Sequence, residues 1–119
     1  MDEDTELQAA SLYEIGNINT QATLDELRTL YESPTEATGG SAQPGPEELQ
    51  KIVDSLKSDI TSYRDALTIQ PGLKPAQTNL SRTEEFIKKL EEEIERLKQQ
   101  QNQQDQQDNQ DQQDKQDQQ

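Results

Sequence analysis

Residues 63–80 read Tyr63-Arg64-Asp65-Ala66-Leu67-Thr68-Ile69-Gln70-Pro71-Gly72-Leu73-Lys74-Pro75-Ala76-Gln77-Thr78-Asn79-Leu80. Up to Ile69 the residues suit a helix. Pro71 and Gly72 then break it: the first lacks an N–H to donate, and the second accepts backbone angles that other residues avoid. Pro75 suits a fresh helix start, where a missing N–H costs nothing. The stretch therefore encodes a helix, a tight turn and a second helix. The Tyr63-Ala66-Pro71 spacing gives each residue a packing task. The ring fills the gap between two antiparallel helices, the alanine lets their backbones approach, and the proline stops one helix so that the next begins.

Upstream of the turn, Leu49, Ile52, Val53, Leu56, Ile60, Tyr63 and Leu67 step by three or four residues and form one apolar stripe. Gly45 as N-cap, Pro46 at the first helical position and Glu47-Glu48 at the positive end of the helix dipole mark its start. The pattern predicts a helix to about Ile69, roughly 35 Å long at 1.5 Å per residue. Downstream, Leu80, Thr83, Ile87, Leu90, Ile94 and Leu97 alternate by three and four, as a heptad seam does. Glu84 with Lys88, Glu85 with Lys89 and Glu92 with Arg96 have the favourable i to i+4 order for ion pairs. The first half of this helix is expected to pack on the Leu49–Leu67 stripe. The alternative is that Leu80–Leu97 zips two chains together, although Thr83 weakens the seam.

Toward the N-terminus, Leu7, Ala10, Leu12, Tyr13 and Ile15 recur at helical spacing, with Thr5 and Gln8 as a capping box. The pattern resumes at Leu24, Leu27, Leu30 and Tyr31 behind a second such pair, Thr23 and Glu26. One long helix, or two abutting near Thr20, is predicted. Between Glu32 and Gly45 the composition turns to Ser, Pro, Thr, Gly and Ala, which reads as a linker. From Gln99 onward the chain is almost wholly Gln, Asp and Asn, with nothing apolar to offset the entropy of ordering. The predicted organisation is a helical segment 1–31, a flexible linker or insert 32–46, a two-helix segment 47–98 and a disordered tail 99–119. The fold class is all-α.

Composition narrows the function. Acidic residues outnumber basic ones 25 to 11, for a net charge of -14, and repel phosphate backbones and anionic membranes. Nucleic-acid binding is excluded on that ground. No cysteine or histidine is present, so thiolate chemistry, imidazole acid–base work and the usual zinc ligands are missing. The cluster Glu91-Glu92-Glu93 with Glu95 spreads around a helix and reads as a solvated face. No catalytic residue, metal site or cofactor is predicted, and no apolar run is long enough to insert in a membrane. Only 27% of the residues are hydrophobic, so the core must be thin.

Tyr63-Arg64-Asp65-Ala66-Leu67, Pro71, Ala76 and Asn79-Leu80 resemble the junction between a tetratricopeptide repeat and its following helix. Leu12-Tyr13-Glu14-Ile15-Gly16-Asn17 resembles the first helix of such a repeat, with Gly16 permitting close packing. With the charged helix and Gln/Asp-rich tail that follow, the order is similar to the tetratricopeptide members of the bacterial Bat aerotolerance group. The resemblance implies a degenerate repeat-like hairpin plus a long third helix. It further implies a scaffold or adaptor that binds a protein partner, such as one with a von Willebrand factor A domain. The place implied is a bacterial envelope or periplasm if the chain is a fragment, and the cytoplasm otherwise. A monomer is expected, with a homodimer as the alternative.

In such repeats a concave face binds peptides, here expected between Leu12–Asn19 and Leu73–Arg82. The resemblance makes Tyr13, Asn17, Asn79 and Arg82 candidate partner-binding residues, and Gly16, Tyr63, Ala66 and Pro71 packing residues. Asn17 and Asn79 fall where the family's carboxylate clamp has asparagines, but Tyr13 and Pro75 stand where it has cations. A structural role for both asparagines is the competing reading. Two further departures are the long segment from Thr20 to Pro46, where the family has a tight turn, and Asp59, where it has a small alanine.

Overall fold

The structure, a computed structural model, describes residues 2–32 and 44–117, with side chains to residue 103. Three helices and no strand make up the described residues: α1, Glu3–Glu32; α2, Pro46–Ile69; and α3, Lys74–Asp117. The linker expected over 32–46 falls mostly outside the described residues. The Gln/Asp tract carries on from α3 as backbone. Its residues 99–103 are exposed and take no part in the core, and most of the tail expected to be disordered, 99–119, lies beyond the described side chains.

The centre of the molecule is α2. It begins at the Gly45-Pro46 signal, with Gly45 supplying an extended N-cap and its carbonyl accepting from Leu49 N at 3.1 Å. It ends where Gln70 N donates to the Ala66 carbonyl at 2.8 Å, just before Pro71. Leu73 N then donates to the Gln70 carbonyl at 3.1 Å, and the Gln77 side chain donates to the Pro71 carbonyl at 2.6 Å, which ties the turn to α3.

The stripe Leu49, Ile52, Val53, Leu56, Ile60 and Tyr63 is almost completely buried because both other helices pack on α2. Each does so antiparallel. Thr23 meets Asp59 while Asn17 meets Tyr63, and Lys57 meets Glu91 while Arg64 meets Glu84, so the numbers run in opposite directions across each interface. From α3, Ile87, Leu90 and Ile94 are buried in the same core, with Leu80, Phe86 and Leu97 packed at its edge. Packing thus reaches Leu97 and is not confined to the first half of the apolar seam. The seam that could zip two chains faces α2.

Several local expectations are corrected. The N-terminus of α1 is capped by Asp2, whose carboxylate accepts from Thr5 N at 2.8 Å and from the Thr5 hydroxyl at 2.6 Å, not by a Thr5–Gln8 box. Thr23 caps nothing, because α1 runs unbroken through it. The expected Glu84–Lys88, Glu85–Lys89 and Glu92–Arg96 pairs are not among the described ion pairs. Arg64 reaches Glu84 at 3.7 Å and Lys57 reaches Glu91 at 3.5 Å across the α2–α3 interface, while Arg96 turns to Glu93.

The largest difference is the face that α1 presents to α2. Its buried residues are Ala9, Gly16, Thr20, Thr23 and Leu27, whereas Leu7, Ala10 and Ile15 are exposed. Small residues on the inner face let the α1 backbone come close to the bulky stripe of α2, and the larger aliphatic residues are left outside.

Candidate functional site

Because α1 and α3 both run antiparallel to α2, they run parallel to each other, and a cleft lies between them with Tyr63 of α2 among its lining residues. The position of that tyrosine depends on Gly16. A Cβ at residue 16 would lie 2.7 and 2.8 Å from Cε1 and Cδ1 of the Tyr63 ring, closer than side-chain carbons approach one another. The ring therefore lies flush against the α1 backbone. Tyr13 packs beside it, with ring centroids 6.0 Å apart and planes tilted by 44°, a favourable arrangement for two aromatic quadrupoles.

Polar groups join all three helices at this point. Tyr63 Oη donates to Asn17 Oδ1 at 2.6 Å, and Asn79 Nδ2 donates to the same oxygen at 2.9 Å and to Tyr13 Oη at 3.2 Å. Asn17 Oδ1 thus fills both of its lone pairs, and the Asn79 amide uses both of its hydrogens. Burial pushes the Tyr63 phenol above its usual range, so at neutral pH it is the protonated donor this arrangement needs. Nearly two turns further along α1, Thr23 Oγ1 donates to Asp59 Oδ2 at 2.6 Å and also lies 3.1 Å from the Asn19 carbonyl. Asp59 thereby becomes a tether between α1 and α2.

The cleft has a volume of about 390 Å³. Beyond the network its walls are Thr20, Gln21 and Leu24 of α1 and Arg82 and Thr83 of α3, and it is continuous with a small apolar hollow bordered by Leu24 and Phe86. Arg82 makes no ion pair among the described residues. Thr20 Oγ1 is buried with no hydrogen-bond partner. The cleft wall is therefore cationic and amide-rich, without a carboxylate, in a strongly acidic chain.

Of the candidates from sequence, Tyr13, Asn17, Tyr63 and Asn79 meet in one network, with Gly16 against it and Arg82 on the neighbouring turn of α3. Ala66 is buried near the end of α2, and Pro71 is exposed in the turn, away from the cleft. Sequence reasoning did not find Thr20, Leu24, Thr83 or Phe86. Stepping from Gly16 by four and three along its own helix face leads to Thr20 and Thr23, a signal hidden because neither is apolar.

Among the described residues no group of three acidic, histidine or cysteine side chains is placed to hold a metal, and no helix is long and apolar enough to cross a membrane. Comparison of the chain with protein-family models, with curated proteins and with solved structures gives no match.

Proposed function

We propose that the chain is a non-enzymatic protein–protein interaction module, a scaffold or adaptor whose α1–α3 cleft takes a segment of its partner. The observation that carries the reading is the cleft wall, where Arg82 and the amides of Asn17 and Asn79 stand beside the Leu24–Phe86 hollow. The side-chain amino group of Asn17 and the side-chain oxygen of Asn79 make no protein hydrogen bond among the described residues, which leaves them for a ligand backbone. A small number of placed polar groups beside an apolar hollow is what a peptide needs for orientation and for affinity.

The sequence resemblance to tetratricopeptide repeats supports the same reading. Its likeness to the Bat group extends the proposal to a partner with a von Willebrand factor A domain in a bacterial envelope complex. Self-association through Leu80–Leu97 finds less support, since that seam is engaged with α2.

The test is capture of partners from the source cell with the full chain, with Arg82→Ala, and with residues 99–119 removed. Arg82 lies outside the hydrogen-bond network and the core, so its variant should keep the native circular dichroism spectrum. The reading expects a partner held by the full chain and by the truncated one, and lost with Arg82→Ala. Equal retention by the Arg82 variant would remove the cleft from the account, and loss on truncation alone would move binding to the tail.

A further inference from the structure

Helix α1 carries a second apolar stripe that touches neither of the other helices. Leu7 is 67% exposed, Ile15 46% and Ile18 66%, and Ala22 is exposed beside them. At about 100° per residue these four fall within an arc of about 80°. That arc lies opposite the buried Ala9, Gly16, Thr20, Thr23 and Leu27. The only other large hydrophobic side chain equally exposed among the described residues is Tyr31, also on α1 and outside the arc. Exposed apolar surface is thus concentrated on one helix face, which marks an interaction surface more clearly than scattered single residues do.

The border of the stripe is acidic. Glu14 lies along one edge of it, Glu3 and Asp4 stand at its N-terminal end and Asp25 and Glu26 at its C-terminal end, and the one basic residue of α1, Arg28, is already paired with Asp25 at 3.2 Å and Glu32 at 4.0 Å. We propose that this outer face of α1 docks an amphipathic helix of a partner protein whose apolar stripe is bordered by lysine or arginine. A second copy of the chain would bring the same acidic border, on top of a net charge of -14 per chain. An anionic membrane is repelled for the same reason. The geometry suits a helix. Ser11 is a small gap between Leu7 and Ile15, and the small Ala22 follows Ile18, so side chains spaced by three and four on a facing helix can seat there. From Leu7 to Ala22 the stripe is roughly 22 Å long, about four helical turns. This face points away from the α1–α3 cleft, and the proposal does not depend on that cleft.

The test uses two synthetic 18-residue helical peptides with the same leucine stripe, one bordered by lysine and the other by glutamate. Binding is read by fluorescence anisotropy and mapped by amide chemical shifts on the full chain. The lysine peptide should shift the amides around Leu7, Ile15, Ile18 and Ala22, and weaken several-fold between low and high salt. The glutamate peptide should bind at least tenfold more weakly. The double variant Ile15→Ser/Ile18→Ser should lose at least tenfold in affinity for the lysine peptide. Both positions are exposed, so its melting temperature should stay near the parent's, which separates lost docking from lost folding. The proposal is overturned if the double variant binds equally well, if the shifts map to the glutamate-rich face of α3, or if the glutamate peptide binds as tightly. A concentration-dependent dimer abolished by the double variant would overturn it too, by making a second copy the occupant.

Discussion

Gly16 sits in the interior of a helix, where alanine is ordinarily better by about 1 kcal/mol. Here the sign reverses, because the new methyl group would fall 2.7 Å from a ring that is itself buried. Overpacking of that kind costs about 1–3 kcal/mol, so Gly16→Ala should be destabilising by about 1 kcal/mol net, read as a lower midpoint in urea. A rise in the midpoint would mean that Tyr63 does not lie against the α1 backbone. Tyr63 itself yields a pH prediction. Its phenol is raised by burial in the folded state, so the folded chain holds that proton after the unfolded chain has released it. The contribution is complete below about pH 10, the ordinary phenol value, and is lost as pH rises above it. Tyr63→Phe should flatten that alkaline loss. At neutral pH it should cost about 1 kcal/mol, because Asn17 loses a donor. Chemical denaturation at pH 7 and pH 10.5 measures both effects.

At the scale of elements, α2 supplies most of the core and has a neighbour along each side, whereas α1 and α3 each lean chiefly on α2. A cavity in α2 is therefore felt by the whole fold. Leu56 is fully buried, and Leu56→Ala should cost about 2–5 kcal/mol, enough to unfold a domain with a core this thin. Leu7→Ala, by contrast, removes a larger aliphatic side chain from α1 than any residue it buries except Leu27, yet should change the midpoint little because Leu7 is exposed. Comparing the two by thermal melts tests which face of α1 is turned inward. The cross-helix pairs Lys57–Glu91 and Arg64–Glu84 are about half exposed, and exposed pairs contribute less than about 1 kcal/mol each. They favour the antiparallel register of α2 and α3 without holding it alone.

For the whole molecule, the three helices share one cluster, so unfolding should be a single transition seen together by circular dichroism and tyrosine fluorescence. Two separated transitions would show that α1 detaches on its own. Removing residues 99–119 should leave the denaturant midpoint unchanged, since the last side chain packed at the edge of the core is Leu97. A marked drop on truncation would place part of the tract against the bundle.

Sequence alone determined that the chain is helical, where α2 begins and ends, and which side chains of α2 and α3 form the core. Those stripes are long, apolar and bounded by Pro and Gly, so local propensity and burial point the same way. It also picked out Gly16, Tyr63, Asn17 and Asn79 as residues to examine. The inner face of α1 could be settled only by tertiary packing. Periodicity follows bulky apolar residues, and on α1 these are divided between two faces, with Leu7, Ile15 and Ile18 turned outward. A bulky stripe on α2 needs small partners, and the close approach allowed by Gly16, Thr20 and Thr23 outweighs the exposure of those three aliphatic side chains. The hydrogen bonds from Tyr63 and Asn79 to Asn17, and from Thr23 to Asp59, span 36 to 62 residues of chain. No local pattern records contacts at that separation, because they exist only after the helices have packed.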